Sequence, residues 1–89
     1  MDASTIPARV DGYAIVEFDG EHMIFHPLEG RAIYLSDSAS LVWKLCDGQR
    51  TIADITSLLL DAYPEAVDLD TEVEGALQVF VEQRVVAIT

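Results

Sequence analysis

Between Gly30 and Gly48, in the run GRAIYLSDSASLVWKLCDG, the spacing of apolar residues changes from alternation to a three-and-four rhythm within a few positions. No other feature constrains the fold as much, because it makes a strand hand over directly to a helix. Arg31 to Leu35 reads as a short strand. Ser36 then suits an N-cap, since its hydroxyl can accept from an amide of the first helical turn, and Leu41, Val42, Leu45 and Cys46 form one apolar stripe with Trp43 toward its flank. Gly48 stands just past the end, where helices favour glycine. The expectation is that this strand keeps one edge open and that the protein acts by letting a peptide pair with it.

Upstream, Val10 to Phe18 suits a strand, Asp19-Gly20 is a strong two-residue hairpin turn, and Glu21 to His26 returns. With that loop, Phe18 faces Glu21, Val16 faces Met23 and Ala14 faces Phe25, while Ile15 faces Ile24 and Tyr13 faces His26. The first set is the more apolar and is expected to line the core. Pro27-Leu28-Glu29-Gly30 makes the next turn, so Arg31 to Leu35 becomes the third strand of a meander, with Ile33 and Leu35 inward and Tyr34 outward. Met1 to Arg9 carries Pro7 and no periodicity, and is expected to be a flexible arm.

Downstream, Thr51 opens a second helix with Asp54 in a capping-box relation, and Ile52, Ile55, Leu58 and Leu59 are its expected buried stripe. Pro64 ends it after Tyr63, and Glu65 to Asp70 is an acidic loop. The third helix begins near Asp70 and runs to about Arg84, with Val73, Leu77, Phe80 and Val81 toward the core. Gly75, Ala76 and Val79 lie on another flank, small or apolar residues that would leave a groove if that flank borders the open strand. Val85 to Ile88 is apolar and β-branched, which suits a short terminal strand or a packed tail. The organisation expected is one domain over residues 1–89: an arm over 1–9, a three-stranded sheet over 10–35, three helices over 36–84 and a tail over 85–89.

Composition excludes several function classes. The 51% apolar content argues against disorder, and no apolar run approaches the roughly 18 residues of a membrane span. Sixteen acidic residues against five basic ones give a net charge of -11, and Arg9, Arg31, Lys44, Arg50 and Arg84 are scattered, so nucleic acid is a poor partner. With one cysteine and no signal-like start, a cytoplasmic location is the expectation.

Catalytic chemistry has no visible apparatus. His22 and His26, four residues apart on a strand, would be separated by roughly 13 Å, too far to share a metal ion. Asp68, Asp70, Glu72 and Glu74 alternate like the start of a calcium loop, but Gly75 comes too late and Val79 stands where a bidentate Glu is needed, so they read as helix-start carboxylates. Cys46 lies in an apolar stripe and reads as a buried thiol. The expectation is no catalytic residue, no metal and no cofactor.

The stretch LSDSASLVWKLCDGQRTIADI, followed by a helix ending in AYP and a last helix containing EVEGAL, resembles the PqqD family, the RiPP recognition elements. The likeness covers roughly His26 to Ile88. Ser36 stands where the family commonly has Asn, Glu72 where it often has Asp, and Arg84-Val85-Val86 where a Gly-Leu-Leu-like ending is usual. The resemblance implies an α+β, winged helix-turn-helix-like fold, with a three-stranded antiparallel meander followed by three helices. It also implies that the leader of a ribosomally made precursor peptide pairs antiparallel with the third strand and is presented to a modifying enzyme, such as a radical S-adenosylmethionine enzyme, a protease or a cyclase. Carried onto this chain, Arg31, Ala32, Ile33, Tyr34 and Leu35 would be the pairing strand, and Glu72, Gly75, Ala76, Val79 and Gln83 the groove residues. Two other readings are a winged-helix DNA-binding regulator and a structural homodimer.

Overall fold

The computed structural model describes residues 1–88, so Thr89, the last residue of the expected tail, lies outside the described residues. In chain order the elements are β1 (Pro7–Arg9), β2 (Ala14–Phe18), β3 (Glu21–His26), β4 (Arg31–Leu35), α1 (Asp37–Leu45), α2 (Ile52–Ala62), α3 (Leu69–Glu82) and β5 (Val86–Ile88). The strands form two sheets, a meander in the order β2-β3-β4 and a separate pair of β1 and β5.

The hairpin forms because both loop residues tolerate a left-handed backbone. Asp19 at φ 55° and Gly20 at φ 81° give the twist that suits a two-residue turn. The register is the one the loop dictates, with Phe18 opposite Glu21, Val16 opposite Met23 and Ile15 opposite Ile24. Gly30, at φ 65°, closes the second turn by donating its N–H to the His26 carbonyl at 2.8 Å. Ile24 is thereby placed opposite Ile33, and Met23 opposite Tyr34.

The expected choice of faces for the hairpin is reversed. Ile24 is fully buried and Ile15 and Ile33 pack against the core, whereas Val16 is 40% and Phe18 79% exposed. The physical reason lies in the polar residues that share the isoleucine face. Glu17 pairs with Lys44 at 2.8 Å, His22 with Asp37 at 2.6 Å, and Arg31 donates to Tyr13 at 2.9 Å, so each has a partner beneath the sheet or at its rim. Polar groups bonded in this way cost less to hold at that face, where His22 Nδ1 alone is buried without a hydrogen-bond partner among the described residues, and the branched isoleucines fill the space between them. On β4 itself Ile33 and Leu35 are half-buried and Tyr34 points outward, as expected.

The first nine residues are not a free arm. β1 pairs antiparallel with β5, with Pro7 opposite Ile88 and Arg9 opposite Val86, so the sheet-forming residues begin before Val10 and the expected tail is a strand. The preceding residues supply acceptors to α2, whose first amides lack partners within the helix: Ile52 donates to the Thr5 carbonyl at 2.9 Å and Ala53 to that of Ala3 at 3.0 Å. The next orphan amide, that of Asp54, is met by the Thr51 hydroxyl at 3.1 Å, and Asp54 returns a bond to the Thr51 amide at 3.0 Å.

The three helices cover the isoleucine face. Ile24, Val42, Ile55, Leu59, Val73, Leu77, Phe80 and Val85 form the interior. Burying each large side chain contributes about 1.5–3 kcal/mol before the entropy of ordering is counted. Trp43 is buried rather than at the flank, because its indole N–H reaches the Val85 carbonyl at 3.3 Å. Leu58 and Val81, expected inside, are 38% and 36% exposed. Both fall off the stripe that α2 and α3 turn toward each other. α3 ends in a Schellman turn: Val85 donates to the Phe80 carbonyl at 2.9 Å and Arg84 to that of Val81 at 3.1 Å, with Arg84 left-handed at φ 61°. Among the described residues no helix is long and apolar enough to cross a membrane.

Candidate functional site

Among the described residues β4 is hydrogen-bonded to a strand on one side only. Strand order places it at the end of the meander, and β5, the strand nearest in sequence to α3, is committed to β1. The outer backbone groups of β4 are therefore a template for another strand. The residues that form it do so because they are short, half-buried and held at both ends, by Gly30 before and by the Ser36 cap after, whose hydroxyl accepts from the Ala39 amide at 3.2 Å.

α3 runs beside this edge in the opposite direction. At the start of β4, Arg31 donates to Gln83 Oε1 at 3.1 Å. Just beyond its end, Ser38 donates to Glu72 Oε1 at 2.7 Å. Glu72 to Gln83 spans roughly 16 Å along a helix, and five strand residues span about the same, so the two elements match in length. The main packing partners of α3 are α1, α2 and β5, so toward β4 it is tied by its ends.

Between those ties the helix presents the flank the sequence picks out. Its core stripe, Leu69, Val73, Leu77 and Phe80, turns inward. Glu72, Gly75, Ala76, Val79 and Gln83 follow the neighbouring helical row, where Ala76 is half-buried, Val79 is 50% exposed and the other three are exposed. A Cβ added at Gly75 would meet no atom within 4 Å, so the helix leaves open space there. On the strand, Arg31, Ile33 and Leu35 face the helical layer, while Ala32 and Tyr34 face away and offer only backbone to the edge. A shallow depression at the far end of β4 is lined by Glu21, His22, Tyr34, Leu35, Ser36 and Asp37.

The remaining sequence candidates sit elsewhere. His22 lies between Asp37 at 2.6 Å and Glu17 at 3.4 Å, and His26 stacks edge-on against Tyr13 at 4.9 Å. Asp68 stands at the N-cap position of α3 without a side-chain bond to the helix, and Asp70 and Glu72 occupy its first turn, where the helix dipole favours them. Cys46 is fully buried with its thiol toward the Val42 carbonyl at 3.1 Å, and burial pushes its pKa up to about 12. Such a thiol is a poor nucleophile at neutral pH.

Sequence reasoning missed an exposed apolar surface on the outer side of the meander, where Val16, Phe18, Met23 and Tyr34 line a shallow hollow. The signal available was the isoleucine ladder: once Ile33 is turned inward and paired with Ile24, Val16, Met23 and Phe18 must go outward.

The family model described as Coenzyme PQQ synthesis protein D (PqqD) matches residues 21–86. The PqqA binding protein of Klebsiella pneumoniae is 36% identical over 63 residues, which is 71% of this chain and 66% of that protein, so the match spans just under two thirds of the relative's length. PqqA binding protein 1 of Pseudomonas putida is 40% identical over 81 residues, covering 89% of this chain and 87% of that one. Among solved structures, TbiB1 in complex with the TbiA(beta) leader peptide superposes with a TM-score of 0.63 at 19% identity, covering 89% and 93% of the two chains, which establishes a shared fold.

Proposed function

Because this chain belongs to the PqqD family, we propose that it is a non-catalytic chaperone that binds the leader of a ribosomally made precursor peptide and presents it to a modifying enzyme. The leader adds as a strand to β4 and sets side chains against Glu72, Gly75, Ala76, Val79 and Gln83. The observation that carries this reading is the free edge of β4 with α3 alongside it, in a chain whose own last strand is paired elsewhere. Relatives named for binding PqqA, and a leader peptide held by a protein of the same fold, support a PqqA-like precursor as the ligand. In this reading the meander and three helices are a winged helix-turn-helix-like arrangement turned to peptide recognition, and the enzyme served is one that modifies the precursor, such as a radical S-adenosylmethionine enzyme, a protease or a cyclase.

Energetics assign the work within the groove. Four or five backbone bonds at about 1 kcal/mol each are largely offset by ordering as many peptide residues at about 1–2 kcal/mol each. Micromolar affinity, about -8 kcal/mol, therefore needs side-chain anchors, which the apolar flank at Ala76 and Val79 supplies. DNA binding finds less support, because four of the five cations are engaged locally: Lys44 with Glu17, Arg50 with Asp47, Arg9 over Trp43, and Arg31 with Tyr13 and Gln83.

The test is an NMR titration of the labelled chain with synthetic PqqA of Pseudomonas putida. Shifts concentrated in Arg31–Leu35 and along the 72–83 flank are expected. Shifts confined to β1, β5 or β2, or none at millimolar peptide, would remove the site.

A further inference from the structure

Arg31 is a half-buried guanidinium whose two side-chain bonds go to neutral partners, Tyr13 at 2.9 Å and Gln83 at 3.1 Å. Among the described residues no ion pair involves it, in a chain where acidic residues outnumber basic ones 16 to 5. It sits at the first residue of the open strand with donors to spare. The other end of the groove carries the opposite sign. Among the described residues Glu72 is bonded there only to the neutral Ser38, Asp70 shares its helical turn, and Glu21 and the His22-paired Asp37 border the depression beyond Leu35. The α3 dipole opposes both ends, but its roughly half a charge is smaller than the full charges on these side chains.

We propose that the groove selects leaders by charge order: a basic side chain, then an apolar one two residues later, then an acidic one two residues after that. This rests on β4 being the peptide site. A strand laid antiparallel, the more stable ladder, places the residue opposite Leu35 four positions before the residue opposite Arg31. Alternate side chains share a face, so the residues opposite Leu35, Ile33 and Arg31 all turn toward α3 and are spread over about 13 Å. The first meets Glu72, the second Ala76 and Val79, and the third the Arg31 guanidinium.

A displayed library of random twelve-residue peptides, selected against the full chain, tests this directly. The field of a protein at net charge -11 favours basic peptides at every position, so enrichment of Asp or Glu at one position is not a consequence of bulk charge. The expected outcome is Lys or Arg followed four residues later by Asp or Glu. Replacing that acid by Lys in an enriched peptide lowers affinity about tenfold, the scale of a lost charge-assisted hydrogen bond. Arg31→Glu reverses the preference at the later position only, and Glu72→Lys at the earlier position only. If Arg31→Glu does not fold, Arg31→Gln flattens the later preference. Peptides that map to β4 by NMR but lack the charge pair, or carry it in reverse order, overturn this inference and leave the proposed function standing. Selection that yields no β4 binder overturns both.

Discussion

β4 and β5 are both short strands that lie near α3, yet they belong to different sheets. β5 is matched residue for residue by β1, and its first residue, Val86, is buried along with Val85 before it. Among the described residues β4 and β5 each have one strand neighbour, but the outer edge of β4 lies along α3, between the Arg31–Gln83 and Ser38–Glu72 bonds. What separates them is where the chain's first nine residues go. By pairing with β5 they give the last strand a sheet of its own, and β4 is the end strand of the meander.

The strongest way to break this contrast is to delete residues 1–9. That removes the β1 ladder, the buried Pro7 and the acceptors of the first α2 amides, and it should lower unfolding free energy by about 3–5 kcal/mol in urea denaturation. An unchanged midpoint would mean that the segment contributes nothing. A smaller effect sharpens the contrast from the other side. Val79→Glu puts a charge on an exposed position beside β4, so it should weaken peptide binding about tenfold in calorimetry while the thermal midpoint holds. Equal affinity would take α3 out of the site.

Two further effects are confined to the β5 side. The Cys46 thiol has its folded pKa raised to about 12, above its ordinary value, because burial disfavours the thiolate. Its stabilising contribution is complete below about pH 9 and is lost as pH rises toward 12, since only the unfolded thiol ionises in between. By pH 10 the loss should be roughly 1 kcal/mol relative to pH 8, and Cys46→Ala should lack that component of the pH dependence. Smallest is Arg84→Gly. At φ 61° a non-glycine residue is strained, and relief should raise stability by about 0.5–1 kcal/mol, measured by the same urea titration. A neutral or destabilising result would show that the Arg84 side chain compensates for its backbone.

Much of this was legible because it is local. Asp19-Gly20 dictates its hairpin register, Ser36 and Thr51 mark helix starts, and Pro64 marks an end, each through bonds made within a few residues. The position of β4 at the end of the meander was legible from the order of hairpin turns, and the exposure of Gly75 and Val79 from helical phase. The face of the hairpin was not. Alternation says that two faces differ, but Glu17, His22 and Arg31 lower the apparent hydrophobicity of the face that is buried, and their partners on α1, just before β2 and just after α3 are invisible to a strand-by-strand reading. β1 was out of reach because Pro7–Arg9 is too short to show a period and its partner lies at the other end of the chain. Arg84 shows how a departure from a family pattern becomes readable once the backbone is seen: the usual glycine would sit where the chain turns left-handed.

Pairing the first strand with the last has an architectural corollary. With Pro7 across from Ile88, β1 and β5 make a ribbon that is not part of the sheet carrying β4, and the residues before Pro7 run on to Met1, whose amino group meets Glu74 of α3 at 2.9 Å. Such a ribbon can fray without breaking a ladder bond of the sheet that carries β4.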